Sequence, residues 1–345
     1  MYRTARTPLN GLSLKDTNAL KGIALLLLLC HHLFYKQNGD YNDIVVIGQH
    51  GLVQEFAIAS KVCVAIFVFL SGYGLTKKYE NTTLLTRDFY VNRFVKLFMN
   101  FWLIWILFVP IGFLLGRTFG EVYQHHIWLK AIIDFFGMAY GFGYYGINPT
   151  WWFMSCIIIL YMLFPFLFKF RNCRIGLLLL SFIVIWIPFS IFNPIKYYLT
   201  AFVAGILCSQ DPLFNKIISL RNVYAKIGVT LLSIACFLIR NFIPYSLLFD
   251  SLLAICIVIT YKLIVKSEGI IQCLMFLGKH SMNIFLFHTF IYYYYFRSLI
   301  YYSSNPLVIF ITLLSICLII SIVIEYLKEM LHFENAYNKI IKCLK

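Results

Sequence analysis

Ten apolar segments alternate with short polar segments along the chain, and each approaches the length that an α-helix needs to cross a bilayer. An eleventh stretch, 127–147, is weaker because Lys130 and Asp134 interrupt it and it ends in GFGYYG. The pattern predicts an all-α, polytopic membrane protein with about ten transmembrane helices. The ten segments are 20–36, 56–76, 97–116, 150–168, 175–191, 195–209, 226–240, 245–265, 281–300 and 306–327.

The composition supports a membrane protein and argues against a nucleic-acid-binding one. Of the 345 residues, 61% are hydrophobic and only 12% are charged, which is too little polar material for the surface of a soluble protein of this size. The formal charge of +15 is spread in small groups between apolar segments and forms no basic stripe. Most of the ten cysteines lie inside apolar segments without paired spacing, so we interpret them as packing residues and expect no metal site.

The distribution of Lys and Arg decides whether 127–147 crosses the membrane. If the N-terminus is cytoplasmic and 127–147 does not cross, most basic residues fall in cytoplasmic loops, as in other membrane proteins. If 127–147 did cross, every later loop would change sides and this bias would be lost. We therefore predict that both termini are cytoplasmic and that 127–147 is re-entrant or lies along the outer surface.

No soluble domain remains once the helices are assigned. We predict one membrane domain over 1–345, with a cytoplasmic N-terminus at 1–17 and a cytoplasmic basic tail at 329–345. A cleavable signal peptide is disfavoured, because histidines and bulky residues follow the first leucine run where small residues are needed. The expected location is the cell membrane, plasma or bacterial inner, as a multi-pass protein.

The first helix carries the clearest candidate chemistry. Lys21 precedes its apolar run, and His31 and His32 lie where hydrocarbon would be expected. Lys21 and His32 are eleven residues apart, about three turns, so they share one helix face roughly 16 Å apart along the axis. Ionisable side chains at such depth usually face a cavity or a partner, and His32 is the candidate for this role. His31 is rotated roughly 100° away and is the candidate structural histidine.

The second helix and the loop after it contain further candidates. Ser71 and Gly72 follow a phenylalanine-rich run, where small residues permit close helix packing. Arg93 and Lys96 lie one turn apart at a helix start, where they could contact anionic lipid or the phosphates of a cytoplasmic donor. Lys61 lies at a depth similar to that of His32, and we expect a structural ion pair between Lys61 and Asp250.

Aromatic residues cluster towards the predicted outer side. Trp152 and Phe153 lie at the outer boundary, where they could pack or stack on a sugar. The tyrosines at 292–295, with Tyr301 and Tyr302, are interpreted as an interfacial aromatic belt.

Taken in order, these motifs resemble the acyltransferase family 3 integral membrane proteins. The resemblance extends from residue 18 to about 290. It rests on a basic residue eleven positions before a histidine, FVFLSGYG at 67–74, the pair Arg93 and Lys96, NPTWWFMS at 148–155, Tyr161 with Pro165, and LGKHSMNIFLFH at 277–288.

The resemblance implies an O-acyltransferase that moves an acyl group, expected to be acetyl, from cytoplasmic acyl-CoA to a hydroxyl of a cell-surface or exported carbohydrate. By motif match, His32 takes the place of the essential histidine and Lys21 that of a family arginine. Arg93, Lys96, Ser71 and Gly72 are then the expected donor-binding residues. Lysines replace arginines at 21 and 96, which keeps the charge but loses the bidentate fork.

The residues also fit this chemistry independently, because a neutral imidazole can take the proton of an attacking hydroxyl near neutral pH. His32 is the expected general base, with a covalent acyl-histidine as the alternative. The oxyanion could be stabilised by backbone N–H groups, Ser71 or Lys61. Lys61, Trp152 and His288 are the candidates for the acceptor or oxyanion site. The competing function is a transporter or flippase of lipid-linked or polymeric glycan.

Overall fold

The computed structural model of the protein describes residues 11–36, 39–43, 46–47, 50–187, 193–243 and 246–344. These residues are almost entirely helical, and the two short strands among them, β1 and β2, pair antiparallel with Val46 opposite Gly51. The strands are β1 Val46–Ile47 and β2 His50–Gly51. The helices are α1 Leu14–Phe34, α2 Leu52–Ala59, α3 Cys63–Tyr79, α4 Thr86–Leu114, α5 Phe119–Tyr123, α6 Ile127–Phe135, α7 Trp152–Lys169, α8 Arg174–Ile183, α9 Asn193–Gln210, α10 Pro212–Ile218, α11 Val223–Ile239, α12 Ser246–Ile264, α13 Glu268–Thr289, α14 Arg297–Ile300, α15 Pro306–Met330 and α16 Phe333–Leu344.

Eight helical segments of the described chain are long and apolar enough to cross a membrane. They coincide with eight of the ten predicted segments, so the all-α, multi-pass architecture is confirmed. The eight are Leu14–Phe34, Leu52–Tyr79, Thr86–Leu114, Pro149–Lys169, Val223–Phe242, Ser246–Ile264, Glu268–Tyr295 and Pro306–Met330. The other two predicted segments correspond to the short apolar helix Arg174–Trp186 and to α9, and the residues between them, 188–192, lie outside the described part.

Several helices begin well before the apolar runs that predicted them. Hydropathy marks the part of a helix that lies in hydrocarbon, whereas backbone hydrogen bonding continues into the polar boundary. In α1 the start is set by a capping box, in which Ser13 Oγ accepts from the Asp16 N–H at 3.1 Å and Asp16 Oδ2 accepts from the Ser13 N–H at 2.8 Å. The last four residues of the predicted N-terminal segment 1–17 therefore belong to α1, and residues 1–10 lie outside the described part.

Two helix crossings depend on glycines that let backbones touch. In the α1–α13 crossing, a Cβ on Gly22 would overlap the Leu274 carbonyl, and one on Gly278 would overlap the Asn18 carbonyl. In the α3–α9 crossing, a Cβ on Gly72 would overlap the Phe202 carbonyl. Gly205 is in reciprocal contact with the α3 backbone. Such close approach favours dispersion contacts between helices in a membrane, where burial alone gives little driving force.

The helix that contains Lys61 is interrupted. Between α2 and α3 the residues Ser60–Val62 form a single 3₁₀ turn, and the turn carries Lys61. A 3₁₀ segment inside a long helix changes the direction of the side chains after it, and such segments often lie at functional positions. A second irregular segment, the π-helix Phe290–Tyr295, follows α13.

The weak stretch 127–147 does not form a spanning helix. Only α6, nine residues long, is α-helical there, and nine residues extend about 14 Å, less than half the hydrocarbon thickness. Asp134 anchors the stretch by accepting hydrogen bonds from the Tyr123 hydroxyl at 2.6 Å and the Ile147 N–H at 2.8 Å. Burial raises the pKa of Asp134 to about 6, and these hydrogen bonds oppose the rise.

Candidate active site

A cavity of about 460 Å³ lies at the end of the helix bundle where α1 terminates, which we call the His32 end. The opposite end, where α1 begins, is called the Lys21 end. The cavity is lined by side chains from α1, from the 3₁₀ turn before α3, from the start of α7, from α9 and from the π-helix. Of the sequence-predicted residues, His32, Lys61 and Trp152 line this cavity, as does His31.

The two adjacent histidines differ in their hydrogen bonding. His31 Nδ1 lies 2.8 Å from the Ala57 carbonyl oxygen, and because a carbonyl only accepts, this nitrogen donates. His31 thus ties α1 to α2, as expected for the structural histidine. His32 forms no hydrogen bond with any described residue, and its ring lies against His288 with a centroid separation of 4.9 Å. An imidazole without a protein partner remains available to a ligand in the cavity.

His288 packs against His32 from α13 and is itself held in a fixed orientation. Its Nδ1 donates to the carbonyl oxygens of Ile284 and Phe285, both at 3.0 Å, which leaves Nε2 of the neutral ring as an acceptor. Nε2 lies 3.4 Å from the Thr289 hydroxyl, which also lies 3.1 Å from the Thr150 hydroxyl. His288 was among the candidates that the sequence predicted for this site, but Thr289 and Thr150 were not singled out. These were missed because a lone threonine in an apolar helix carries no distinctive pattern.

The expected ion pair between Lys61 and Asp250 is wrong. Asp250 is paired instead with Arg240, whose Nε and Nη2 donate to the two carboxylate oxygens at 2.8 Å each, and both side chains are buried. Arg240 offers a planar fork that matches a carboxylate, which a lysine cannot. Arg240 also donates to the Ile58 carbonyl at 3.1 Å, so the pair fastens α12 to the end of α2.

The tyrosine cluster is only partly a membrane belt. Tyr292, Tyr293, Tyr294 and Tyr301 line the cavity, whereas Tyr302 does not line it and is 88% exposed, as expected of a belt residue. The π-helix causes the difference. Its wider turn rotates consecutive tyrosines towards the bundle, an irregularity that the 3.6-residue period does not predict.

Trp152 forms one wall of the cavity together with α9. Its ring stacks on Tyr198 with a centroid separation of 5.8 Å and an interplanar angle of 22°. Tyr198 also lines the cavity, and its hydroxyl has no hydrogen-bond partner although the residue is fully buried. An unpaired buried hydroxyl is costly unless a water or a ligand satisfies it. No sequence motif distinguishes Tyr198, which is one of 24 tyrosines.

The donor-site candidates Lys21, Arg93 and Lys96 lie together at the Lys21 end. Arg93 and Lys96 are near enough to Lys21 to repel its charge. No acidic residue of the described chain forms a salt bridge with any of the three, whereas nearby Lys77 and Lys262 have carboxylate partners. The fold therefore brings these three cations together without a carboxylate partner among the described residues, and their role in donor binding stays a prediction.

Ser71 and Gly72 lie between the two ends and do not line the cavity. Ser71 is ten residues after Lys61 on the same helix, about 15 Å nearer the Lys21 end. The Tyr73 hydroxyl accepts the Leu12 N–H at 2.7 Å, which fixes this part of α3 beside the start of α1. The contact of Gly72 with the Phe202 backbone accounts for that glycine by helix packing.

Among the described residues, no group of three or more His, Cys, Asp or Glu side chains is arranged to hold a metal ion. The candidate site thus consists of a polar, aromatic cavity at one end, a cation cluster at the other, and α1 connecting them.

The whole-chain pattern matches a known family. The model of the acyltransferase 3 family, described as an acyltransferase domain, matches residues 14–326. Comparison with curated proteins and with solved structures found no match. The match includes both clusters and every helix from α1 to α14. The chain belongs to acyltransferase family 3 and is a multi-pass membrane acyltransferase.

Proposed function

We propose that the protein transfers an acetyl group from cytoplasmic acetyl-CoA to a hydroxyl of a cell-surface or exported carbohydrate. The observation that carries the proposal is the position of His32: it lines the cavity, has no hydrogen bond with any described residue, and shares its helix with Lys21. Acyl transfer needs such a base beside a space for the acceptor.

The donor enters at the Lys21 end. Acyl-CoA carries several phosphate charges, and Lys21, Arg93 and Lys96 are three neighbouring cations without carboxylate partners. Phosphates bound there would leave the thioester to extend along α1 towards His32, about 16 Å away. Ser71 lies along this path on the neighbouring helix, and Gly72 contributes to the path by holding α3 close to α9.

The chemical step takes place at His32. The acceptor hydroxyl attacks the thioester carbonyl while its proton moves to the neutral imidazole of His32. The tetrahedral intermediate then collapses, with the C–O bond formed and the C–S bond broken. The imidazolium returns the proton to the leaving CoA thiolate. His288, with Nδ1 held by two carbonyls, supports the His32 ring from the α13 side.

The acceptor occupies the cavity at the His32 end. Its walls are rich in tyrosine and include Trp152, and aromatic rings with polar tips suit the mixed apolar and hydroxylated faces of a sugar. The topology proposed with this arrangement has ten transmembrane helices in the cell membrane and cytoplasmic termini, which include the 1–17 segment and the 329–345 tail. In it, 127–147 is re-entrant or lies along the outer surface.

The test is release of free CoA thiol by purified full-length protein in detergent, supplied with acetyl-CoA and an oligosaccharide mixture from bacterial envelopes. We expect turnover that requires both protein and acceptor, and saturable binding of acetyl-CoA without acceptor. Saturable glycan binding with neither turnover nor acetyl-CoA binding would contradict the proposal and favour a glycan transporter or flippase.

A further inference from the structure

The cavity at the His32 end carries an excess of positive charge. Its charged lining residues besides the histidines are Lys36, Lys61, Arg297 and Asp40. Asp40 is already engaged, because its carboxylate accepts from Arg297 Nη2 at 2.5 Å. Lys36 lies at the exposed mouth, so Lys61 is the enclosed cation of the cavity.

No acidic residue of the described chain forms a salt bridge with Lys61. All fourteen Asp and Glu residues lie within the described part of the chain, so the segments outside it cannot supply one. Asp250, the acid whose charge Lys61 feels, is bound bidentately by Arg240, which repels Lys61 in turn. No described residue forms a salt bridge or a side-chain hydrogen bond with Lys61. Lys61 is therefore a half-buried cation in the cavity that is available to the opposite charge of a ligand.

The Tyr198 hydroxyl is a second polar group in the wall of the cavity. The Tyr198 hydroxyl is buried, lines the cavity and lacks a partner, and Tyr198 is close enough to Arg240 and Asp250 to interact with their charges. Tyr198 and Lys61 therefore both lie beside the buried pair. Together they offer a cation and a hydroxyl donor, which is a combination that binds a carboxylate or a phosphate oxygen.

Resting on the function proposed above, we propose that the acceptor is an acidic carbohydrate. Its anionic group, a carboxylate or a phosphate, binds Lys61 and the Tyr198 hydroxyl, while a neighbouring hydroxyl of the same sugar faces His32. Lys61, Tyr198 and His32 line the same cavity, which places the anion-binding groups and the base around one ligand. Trp152, stacked on Tyr198, then contacts the face of the ring.

The experiment compares binding of methyl β-glucuronide and methyl β-glucoside to purified full-length protein by saturation-transfer NMR titration. Binding of methyl β-glucoside 6-phosphate, compared with that of the glucuronide, shows whether the site prefers a phosphate or a carboxylate. We expect wild-type protein to bind one or both anionic glycosides roughly tenfold more tightly than the neutral one, the effect of one charge-assisted hydrogen bond. Equal binding of charged and neutral glycosides would overturn the proposal.

Single-residue variants test which side chains cause the preference for anionic glycosides. Lys61→Gln is expected to weaken only the anionic glycosides, by roughly tenfold, and Lys61→Arg to retain the preference. Tyr198→Phe, which removes one hydroxyl, is expected to weaken them severalfold. Lys36→Gln removes an equal charge from the exposed mouth and is expected to have a smaller effect, because solvent screens that site.

The alternative roles of Lys61 give different results. If Lys61 only stabilised the oxyanion, Lys61→Gln would lower the rate of acetyl transfer to charged and neutral acceptors equally and leave binding unchanged, which would overturn the proposal. Elution volume and thermal midpoint identify a misfolded variant, and then Lys61→Arg and Tyr198→Phe carry the test. Anion preference without acetyl-CoA turnover would reject the acyltransfer function and leave the acidic ligand standing. Turnover without anion preference would support the acyltransfer function and reject the acidic acceptor.

Discussion

The two ends of the helix bundle both contain cations that form no salt bridge with a described residue, but the ends differ in the number of these cations and in how open they are. At the Lys21 end, Lys21, Arg93 and Lys96 form an open cluster of three. At the His32 end, Lys61 lies inside a cavity walled by aromatic rings, where Arg297 is paired with Asp40 and Lys36 lies at the exposed mouth. The difference corresponds to two kinds of anion: a cluster suits a ligand with several phosphates, and a single enclosed cation suits one charged group on a sugar.

Some other cations of the chain do have a carboxylate partner. Arg240 binds Asp250, Arg297 binds Asp40, and Lys262 binds Asp16 at 2.6 Å. The chain has only 14 acidic residues against 29 Lys and Arg, and no described acid forms a salt bridge with Lys21, Arg93, Lys96 or Lys61.

The largest expected effect is at the His32 end. His32→Ala removes the base, so acetyl transfer should fall by about 10²–10⁴-fold while the protein still accumulates in membranes. His31→Ala is the matched control on the neighbouring residue and should cost about tenfold or less, because it removes a hydrogen bond to Ala57 rather than the base. Steady-state rates of acetyl transfer at saturating acetyl-CoA measure the activity of both variants. The reverse ranking would overturn the assignment.

At the Lys21 end the effect should appear in donor affinity. The double variant Arg93→Gln/Lys96→Gln removes two charges from the cluster, so the KM for acetyl-CoA should rise by about 10- to 100-fold with little change in the KM for acceptor. Lys15→Gln is the control, since Lys15 lies at the same end but pairs with Glu268 at 3.4 Å. A change in acceptor KM alone would place these cations outside the donor site.

A smaller effect is expected from the packing between the two ends. Gly72→Ala forces a methyl group into the Phe202 backbone, so stability should fall by about 1–3 kcal/mol. Gly74→Ala, two residues later on the same helix, adds its methyl to open space and should be neutral or slightly stabilising. Thermal unfolding in detergent compares the two. Equal stability with a raised acetyl-CoA KM for Gly72→Ala alone would instead indicate direct donor contact.

The sequence predicted the helical membrane architecture and the residues of the two ends better than the walls of the cavity. Length and hydropathy identify spanning helices directly, and the spacing of Lys21 and His32 on one helix is a local property. Tyr198, Thr150 and Thr289 come from separate elements and meet only through tertiary packing. The partner of Asp250 was missed because both Lys61 and Arg240 lie at a suitable depth, and side-chain geometry, invisible in the sequence, chose between them.

The irregular helical segments are the other feature that the sequence did not predict. The 3₁₀ turn at Ser60–Val62 and the π-helix at Phe290–Tyr295 reorient Lys61 and the tyrosines, and neither leaves a mark in the hydrophobic period. Both irregular segments contribute lining residues to the cavity. The regular parts of the chain were therefore predictable, and the irregular ones that shape the cavity were not.

The most direct test of the two-ended account is the sidedness of acetyl-CoA use in sealed membrane vesicles. Right-side-out and inside-out vesicles containing the protein receive radiolabelled acetyl-CoA outside, with orientation checked by labelling the exposed thiols Cys173 and Cys343 with an impermeant maleimide. We predict acetyl transfer only in inside-out vesicles, where the Lys21 end faces the donor, and loss of that transfer in His32→Ala. Equal transfer in both orientations, or transfer that survives His32→Ala, would contradict it.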